Sequence, residues 1–344
     1  MQKPVLIIKL GTAVVTDDRG MISPATIRKV AAEVGALMAG HRVVLVSSGA
    51  VGSGRGFFQG YKGTLTERKA AAAVGNPILI RQYQRAFSAY SIPVAQALCE
   101  RQHFSDRGRF LQLKETFEVF WENGILPIMN ENDLFSNVEL KFSDNDELAT
   151  LTAIGLDATA LLLCTSVGGL LDGEGRIVPR VERVDGRVLS LVQQGKSSLG
   201  LGGMLSKLTF ARLASSLGIR VVICGMKGPM PFSDALTGKA GTSFLPRAST
   251  LRARQKWLAS GSITLGGLYI DKGAVRALGQ RRSLLTVGVR EVEGRFEAGE
   301  VVQLKDEEGS IVGVAKVRLA ASEVMESLAV RNVMAAHADD IVLF

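Results

Sequence analysis

The chain has little cysteine, histidine or tryptophan: three, three and two residues among 344, with aromatics at 6%. Cys99, Cys164 and Cys224 lie far apart, two of them inside apolar runs, which excludes a disulfide framework and predicts buried free thiols in a reducing compartment. His41, His103 and His337 lack metal-ligand spacing, so no metal site is expected. Long hydrophobic runs are missing too. Val5-Leu6-Ile7-Ile8 stops at Lys9, too short for a signal peptide, and no run approaches membrane-spanning length. The expectation is a cytoplasmic protein without membrane contact. A basic tail is likewise absent. The formal charge is +8, but residues 247–344 hold 14 Lys+Arg against 12 Asp+Glu, leaving 27 against 21 for residues 1–246. A diffuse excess of this kind suits anionic small substrates better than a nucleic-acid surface.

What is present is a globular composition, 47% hydrophobic and 22% charged, in a chain longer than one core usually organises, so two domains are expected. Residues 1–250 alternate short apolar β-rich runs with helix-period stretches, the pattern of an α/β fold. It predicts a three-layer α/β/α sandwich with a mainly parallel sheet. Strands are predicted at 5–10, 42–46, 93–97, 125–129, 158–164 and 221–224, and helices at 24–38, 65–74, 78–89, 108–123, 146–154 and 205–217. From Pro246-Arg247 the chain enters an Arg-rich stretch, Leu251 to Leu258, and then short strands punctuated by Gly. These strands predict a small β-barrel-like domain over 258–340.

Four polar constellations follow strands or open helices. Lys9-Leu10-Gly11-Thr12 puts an ammonium and backbone N–H groups at the carboxyl end of a strand, where open α/β sheets bind anions; an ordinary strand exit with a solvated Lys is the alternative. Ser47-Ser48-Gly49-Ala50-Val51-Gly52-Ser53-Gly54 offers hydroxyls and a backbone that a ligand can approach, but it lacks the Gly-Lys-Ser/Thr of a Walker A loop. Asn130-Glu131-Asn132-Asp133 and Phe142-Ser143-Asp144-Asn145-Asp146 cluster carboxylates and carboxamides suited to an ammonium group or to orienting lysines. Helix capping explains one residue in each of these two clusters. Leu199-Gly200-Leu201-Gly202-Gly203-Met204-Leu205-Ser206-Lys207 reads as a Gly-rich loop opening a helix whose first turn carries Lys207, a setting for phosphate.

Taken in order with Ala73-Val74-Gly75, these motifs resemble the glutamate 5-kinases of the amino-acid kinase family, over nearly the whole chain. Asn130-Glu131-Asn132-Asp133 is the most specific element. The tail from about Leu258, with Gly273-Ala274-Val275-Arg276, is similar to a PUA domain. The resemblance implies ATP-dependent phosphorylation of the γ-carboxylate of L-glutamate, the first step of proline biosynthesis, with Mg²⁺ arriving on the nucleotide. By the same resemblance Lys9, Lys207 and Asp146 are catalytic, and Ser48, Asp133, Asp144 and Asn145 bind substrate. Lys9, Gly11, Gly49, Thr165, Ser166, Leu201, Gly202, Gly203, Met204, Leu205, Ser206 and Lys207 form the nucleotide side. A homo-oligomer inhibited by proline is implied as well.

Three departures from the family pattern involve four positions. Ser166 stands where the family has Asp, Leu201 and Leu205 replace hydroxyl residues, and Ser143 replaces Gly. Two other functions stay open on these grounds: an impaired kinase-like sensor of glutamate or proline, and an RNA-binding protein acting through the C-terminal domain. For the latter, Arg252, Arg254 and Lys256 are the candidate phosphate contacts, against a solvated charged linker.

Overall fold

Residues 5–10 are apolar except for Lys9, a composition suited to a strand covered on both faces. In the computed structural model, which describes residues 2–17, 20–134, 144–193, 198–247, 266–328, 330 and 333–343, this segment is β1 (Val5–Leu10), and all six residues are buried. With β2 (Arg42–Ser47), β3 (Val94–Cys99), β4 (Leu126–Glu131), β5 (Ala160–Cys164), β6 (Arg180–Val181), β7 (Arg220–Cys224) and β8 (Thr242–Phe244) it builds an eight-stranded sheet of order β3-β4-β2-β1-β5-β7-β8-β6. The pairings from β3 through β7 are all parallel, and β8 runs antiparallel to β7. The chain builds outward from β1 through β2 on one side and later resumes on the other at β5. This reversal leaves a crevice beyond the carboxyl ends of the central strands.

Ten helices are described in the sequence up to residue 247: α1 (Thr12–Val15), α2 (Pro24–Leu37), α3 (Ala50–Gly54), α4 (Leu65–Ser88), α5 (Gln102–Ser105), α6 (Arg107–Glu122), α7 (Asn145–Gly155), α8 (Gly186–Gln193), α9 (Ser198–Ser216) and α10 (Pro231–Leu236). The period of two along β1 sends Leu6, Ile8 and Leu10 into a core shared with Ile27, Val30 and Val34 of α2 and Leu79 and Phe87 of α4. Ile7 and Lys9 are left for the opposite face, where α7 lies against β1. Local signals set helix starts. Ser23 accepts from the Thr26 N–H with Pro24 at the first helical position, and Thr64 and Glu67 form a reciprocal capping box.

Two helical expectations change. The two helices predicted at 65–74 and 78–89 are one helix of 24 residues that carries Pro77 in its interior. Proline in a helix interior removes a hydrogen bond and costs ~3 kcal/mol; here packing of α4 on α2 and α3 outweighs that local penalty. The helix predicted from Leu205 begins at Ser198, so Gly200, Gly202 and Gly203 are helical and do not form a loop. Glycine disfavours helix, but Leu201, Met204, Leu205 and Lys207 are good helix formers and continue into a segment that packs on β7.

The three cysteines are buried free thiols, as composition implied. Burial and the neighbouring Glu100 push the Cys99 thiol up to about 12. Cys164 and Cys224 face each other across β5 and β7 with sulfurs 3.7 Å apart, and this contact, with burial, raises Cys164 well above the ordinary thiol range. A thiol held protonated is a poor nucleophile.

The chain divides into two compact units, Met1–Arg101 with Leu111–Ser249, and Gln102–Phe110 with Thr250–Phe344. In the second, β9 (Gly266–Ile270), β11 (Val289–Gly294), β12 (Val301–Lys305), β13 (Ile311–Lys316) and β15 (Ile341–Leu343) form a five-stranded sheet of order β11-β9-β12-β13-β15, and β10 (Leu284–Leu285) pairs with β14 (Met334–Ala336). Its core gathers Leu268, Ile270, Val302, Leu304, Ala315 and Val324. Ser143 and the stretch Leu251 to Leu258, with Arg252, Arg254 and Lys256, lie outside the described residues.

Helices α3 and α4 meet without room for a side chain. A Cβ on Gly75 would lie 1.8 Å from the Ala50 carbonyl oxygen, and one on Gly54 would lie 1.9 Å from that of Ala71. We expect Gly75→Ala to destabilise the protein by ~3 kcal/mol, the upper range for overpacking, read as a lower urea midpoint; an unchanged midpoint would mean that the helices can separate freely.

Candidate active site

β1 delivers Lys9 and α7 delivers Asp146 to the same place. The Asp144 side chain caps α7 through its Oδ1, which accepts from the backbone N–H groups of Asp146 and Glu147 at 2.9 and 3.1 Å. That cap fixes the first turn, where a carboxylate is also favoured by the helix dipole. Asp146 Oδ1 lies 2.8 Å from Lys9 Nζ and Asp146 Oδ2 lies 2.8 Å from Lys207 Nζ, with Asp146 1% exposed and the lysines 7% and 12%. One carboxylate thus holds two ammonium groups, and the trio carries a net positive charge beneath the surface. Such an arrangement can receive a polyanion at low reorganisation cost, because its charges are already oriented.

Lys207 sits within α9, and its ammonium also donates to the Gly203 carbonyl at 3.4 Å. Ser206, one residue earlier, donates to Asp144 Oδ2 at 2.6 Å, tying α9 to the start of α7. Asp144, expected on the substrate side, therefore has both oxygens engaged in joining these two helices. Gly11 caps α1 beside the Lys9 ammonium, and a Cβ there would lie 3.6 Å from Lys9 Nζ. Gly49 caps the start of α3 at φ +112°, where an added Cβ would meet Ile22 at 2.8 Å, so the turn demands glycine. Thr165, whose N–H donates to Cys224 O, and the exposed Ser166 follow β5 at the same edge of the sheet. Met204 is half-buried, while Gly203 and Leu205 are exposed. Leu201 and Gly202 lie near the start of α9.

On the other side of Asp146 is a chain of carboxamides. Asn145 Nδ2 donates to Ser48 Oγ at 2.9 Å and to Asn130 Oδ1 at 3.0 Å, and Asn130 Nδ2 donates to Asn76 Oδ1 at 3.1 Å. This brings Ser48, Asn130 and Asn145 together, as their motifs implied. Asp133 lies half-buried in the turn two residues beyond β4. Two neighbours escaped sequence reasoning. Asn76 could have been suspected, since it follows Ala73-Val74-Gly75 directly. Arg101 gave no signal, yet its guanidinium lies 2.6 Å from the fully buried Glu147 carboxylate, beside Asp146 in the first turn of α7.

Removing one partner of a buried ion pair leaves an uncompensated charge and costs ~3–5 kcal/mol. We therefore expect Arg101→Met to lower stability by about that much and Arg101→Met with Glu147→Leu to recover most of it, both read by urea unfolding. A double variant no more stable than Arg101→Met would contradict this.

No helix among the described residues is long and apolar enough to cross a membrane, and no group of three or more metal-ligating side chains is found among them. Comparison with known proteins identifies the family. The amino acid kinase family matches residues 4–225, and the PUA domain matches residues 266–334. A glutamate 5-kinase from Kosmotoga olearia is 38% identical over 330 residues, covering 94% of this chain and 91% of its own length. Glutamate 5-kinases from Gloeobacter violaceus and Thermus thermophilus are 41% and 38% identical, covering 88% and 93% of this chain and 86% and 88% of their own lengths. Among solved structures, a carbamate kinase from Giardia lamblia bound to AMP-PNP superposes with a TM-score of 0.52 at 18% identity, over 71% of this chain and 99% of its own. That likeness concerns the fold. With the family model spanning residues 4–225 and these relatives matched along most of its length, the chain belongs to the amino acid kinase family, in its glutamate 5-kinase branch.

Proposed function

We propose that this chain transfers the γ-phosphoryl group of ATP to the γ-carboxylate of L-glutamate, giving ADP and γ-glutamyl 5-phosphate, the first step of proline biosynthesis. The observation that carries the reading is the bridging of Lys9 and Lys207 by Asp146 beside the Ser48–Asn145 pair. An ionised carboxylate is already a nucleophile at neutral pH, so the acceptor needs no general base. This agrees with a site assembled without histidine. The carboxylate oxygen bonds to the γ-phosphorus as the bond to the β-phosphate bridging oxygen breaks, and no proton moves. Lys9 and Lys207 oppose the charge spread over the phosphoryl oxygens, and Asp146 keeps the two ammonium groups from separating.

Ser48, Asn145 and Asp133, with Asp144 as the joint behind them, are the proposed glutamate side. Gly11, Gly49, Thr165, Ser166 and the 201–207 segment are the proposed nucleotide side. Mg²⁺ would arrive with ATP and help to neutralise its phosphates. The same proposal includes a kinase domain over 1–250, a PUA domain over 258–340, cytoplasmic location, self-association and inhibition by proline.

The test is glutamate-dependent ADP release with MgATP, trapping the acyl phosphate with hydroxylamine as the hydroxamate. We expect a signal that requires glutamate. Lys207→Ala should reduce turnover by on the order of 10²-fold or more, the scale for losing one transition-state contact, while glutamate binding stays measurable by calorimetry. Asp133→Ala should raise the KM for glutamate more than that for ATP. A protein stabilised by glutamate without turnover would instead be a sensor.

A further inference from the structure

The amide chain reaching Ser48 has a direction that one backbone group sets. The N–H of Glu131 can only donate, and it meets a side-chain atom of Asn130 at 2.9 Å, so that atom is the carbonyl Oδ1. The other end of Asn130 is therefore Nδ2, and the atom of Asn76 that receives it at 3.1 Å is Oδ1. By the same logic the Asn145 group that meets Asn130 Oδ1 at 3.0 Å is Nδ2, and it also donates to Ser48 Oγ at 2.9 Å. Both Nδ2 hydrogens of Asn145 are then engaged. What Asn145 can still offer a ligand is its Oδ1, an acceptor, and what Ser48 can still offer is its hydroxyl hydrogen, a donor. An acceptor and a donor side by side match the ammonium and carboxylate of an amino acid.

We propose that Asn76 is a positioning residue for substrate recognition: its carbonyl oxygen holds Asn130 in the one orientation that turns Asn145 toward an ammonium group and Ser48 toward a carboxylate. This rests on the reading of Ser48 and Asn145 as glutamate-binding residues. Asn76 and Asn130 are 7% and 6% exposed, so water does not substitute freely for a lost partner. Asn76 is carried by α4, and Gly75 beside it is pressed against the Ala50 carbonyl, so the helix that holds the amide has little freedom to shift. Asn76, Ile80, Gln96 and Met129 line a small cavity beside this pair.

The experiment compares wild type with Asn76→Leu, Asn76→Ala and Asn76→Gln in the hydroxamate assay with L-glutamate and MgATP, after thermal melting confirms folded protein. Leu approximates the size of Asn without an acceptor. Ala is smaller, favours helix, and keeps the question answerable where Leu fails to fold. Gln retains a carbonyl oxygen on a side chain one methylene longer. We expect Leu and Ala to raise the KM for glutamate about tenfold, the effect of one lost hydrogen bond, and the KM for ATP less than twofold, with Gln restoring the glutamate KM to near wild type. A folded Ala variant with the wild-type glutamate KM, or with both KM values raised equally, would overturn the inference alone. Absence of hydroxamate from the wild type would overturn the functional reading and, with it, this inference.

Discussion

Burying charge in a protein interior is costly unless partners and geometry compensate it, and the fold of this chain is arranged so that one carboxylate compensates two ammonium groups. Asp146 is reached by Lys9 from the central strand and by Lys207 from α9, each at 2.8 Å. Neither lysine is held by a loop. Lys9 is fixed by a strand whose six residues are all buried and whose neighbours on both sides pair with it in parallel. Asp146 is fixed by the Asp144 cap, and the same cap residue reaches across to Ser206 on the helix of Lys207. The central strand, α7 and α9 therefore cannot be placed independently of one another.

The consequence for function is a division of labour across α7. Positive charge faces the place where a transferring phosphoryl group would develop negative charge. The amide end of the same first turn, Asn145, is oriented toward Ser48 and Asn130. In the proposed reaction two adjacent residues, Asn145 and Asp146, would serve the two substrates of the phosphoryl transfer. A shift of α7 by an ångström would disturb both sides together, which gives the buried Arg101–Glu147 pair at its start a structural purpose.

Much of this was legible in the sequence because strand ends announce themselves. The run Val5-Leu6-Ile7-Ile8 with Lys9 at its end, Ser47-Ser48 before Gly49, and Asn130 after Met129 each mark where an apolar strand yields to polar chemistry, and all three meet at one edge of the sheet. What stayed hidden depends on tertiary context. Pro77 argued for two helices, since the packing that keeps α4 continuous is supplied by distant segments. The glycines before Lys207 argued for a loop, although the flanking residues favour the helix that forms. Asp144, expected on the substrate side, also has its oxygens bound by backbone and Ser206, contacts that proximity in sequence does not reveal. Arg101 and Asn76 act through contacts 46 and 54 residues away, and no local pattern encodes such pairings.

The bridging carboxylate is the point at which the whole account stands or fails. Asp146→Asn preserves shape and removes the charge that restrains Lys9 and Lys207. With folding verified by thermal melting, the single-turnover rate of phosphoryl transfer at saturating glutamate and MgATP should fall by on the order of 10²-fold or more, the scale for a misplaced electrostatic contact. A folded Asp146→Asn protein that transfers at nearly the wild-type rate would contradict it, since the two ammonium groups would then be positioned by something other than Asp146.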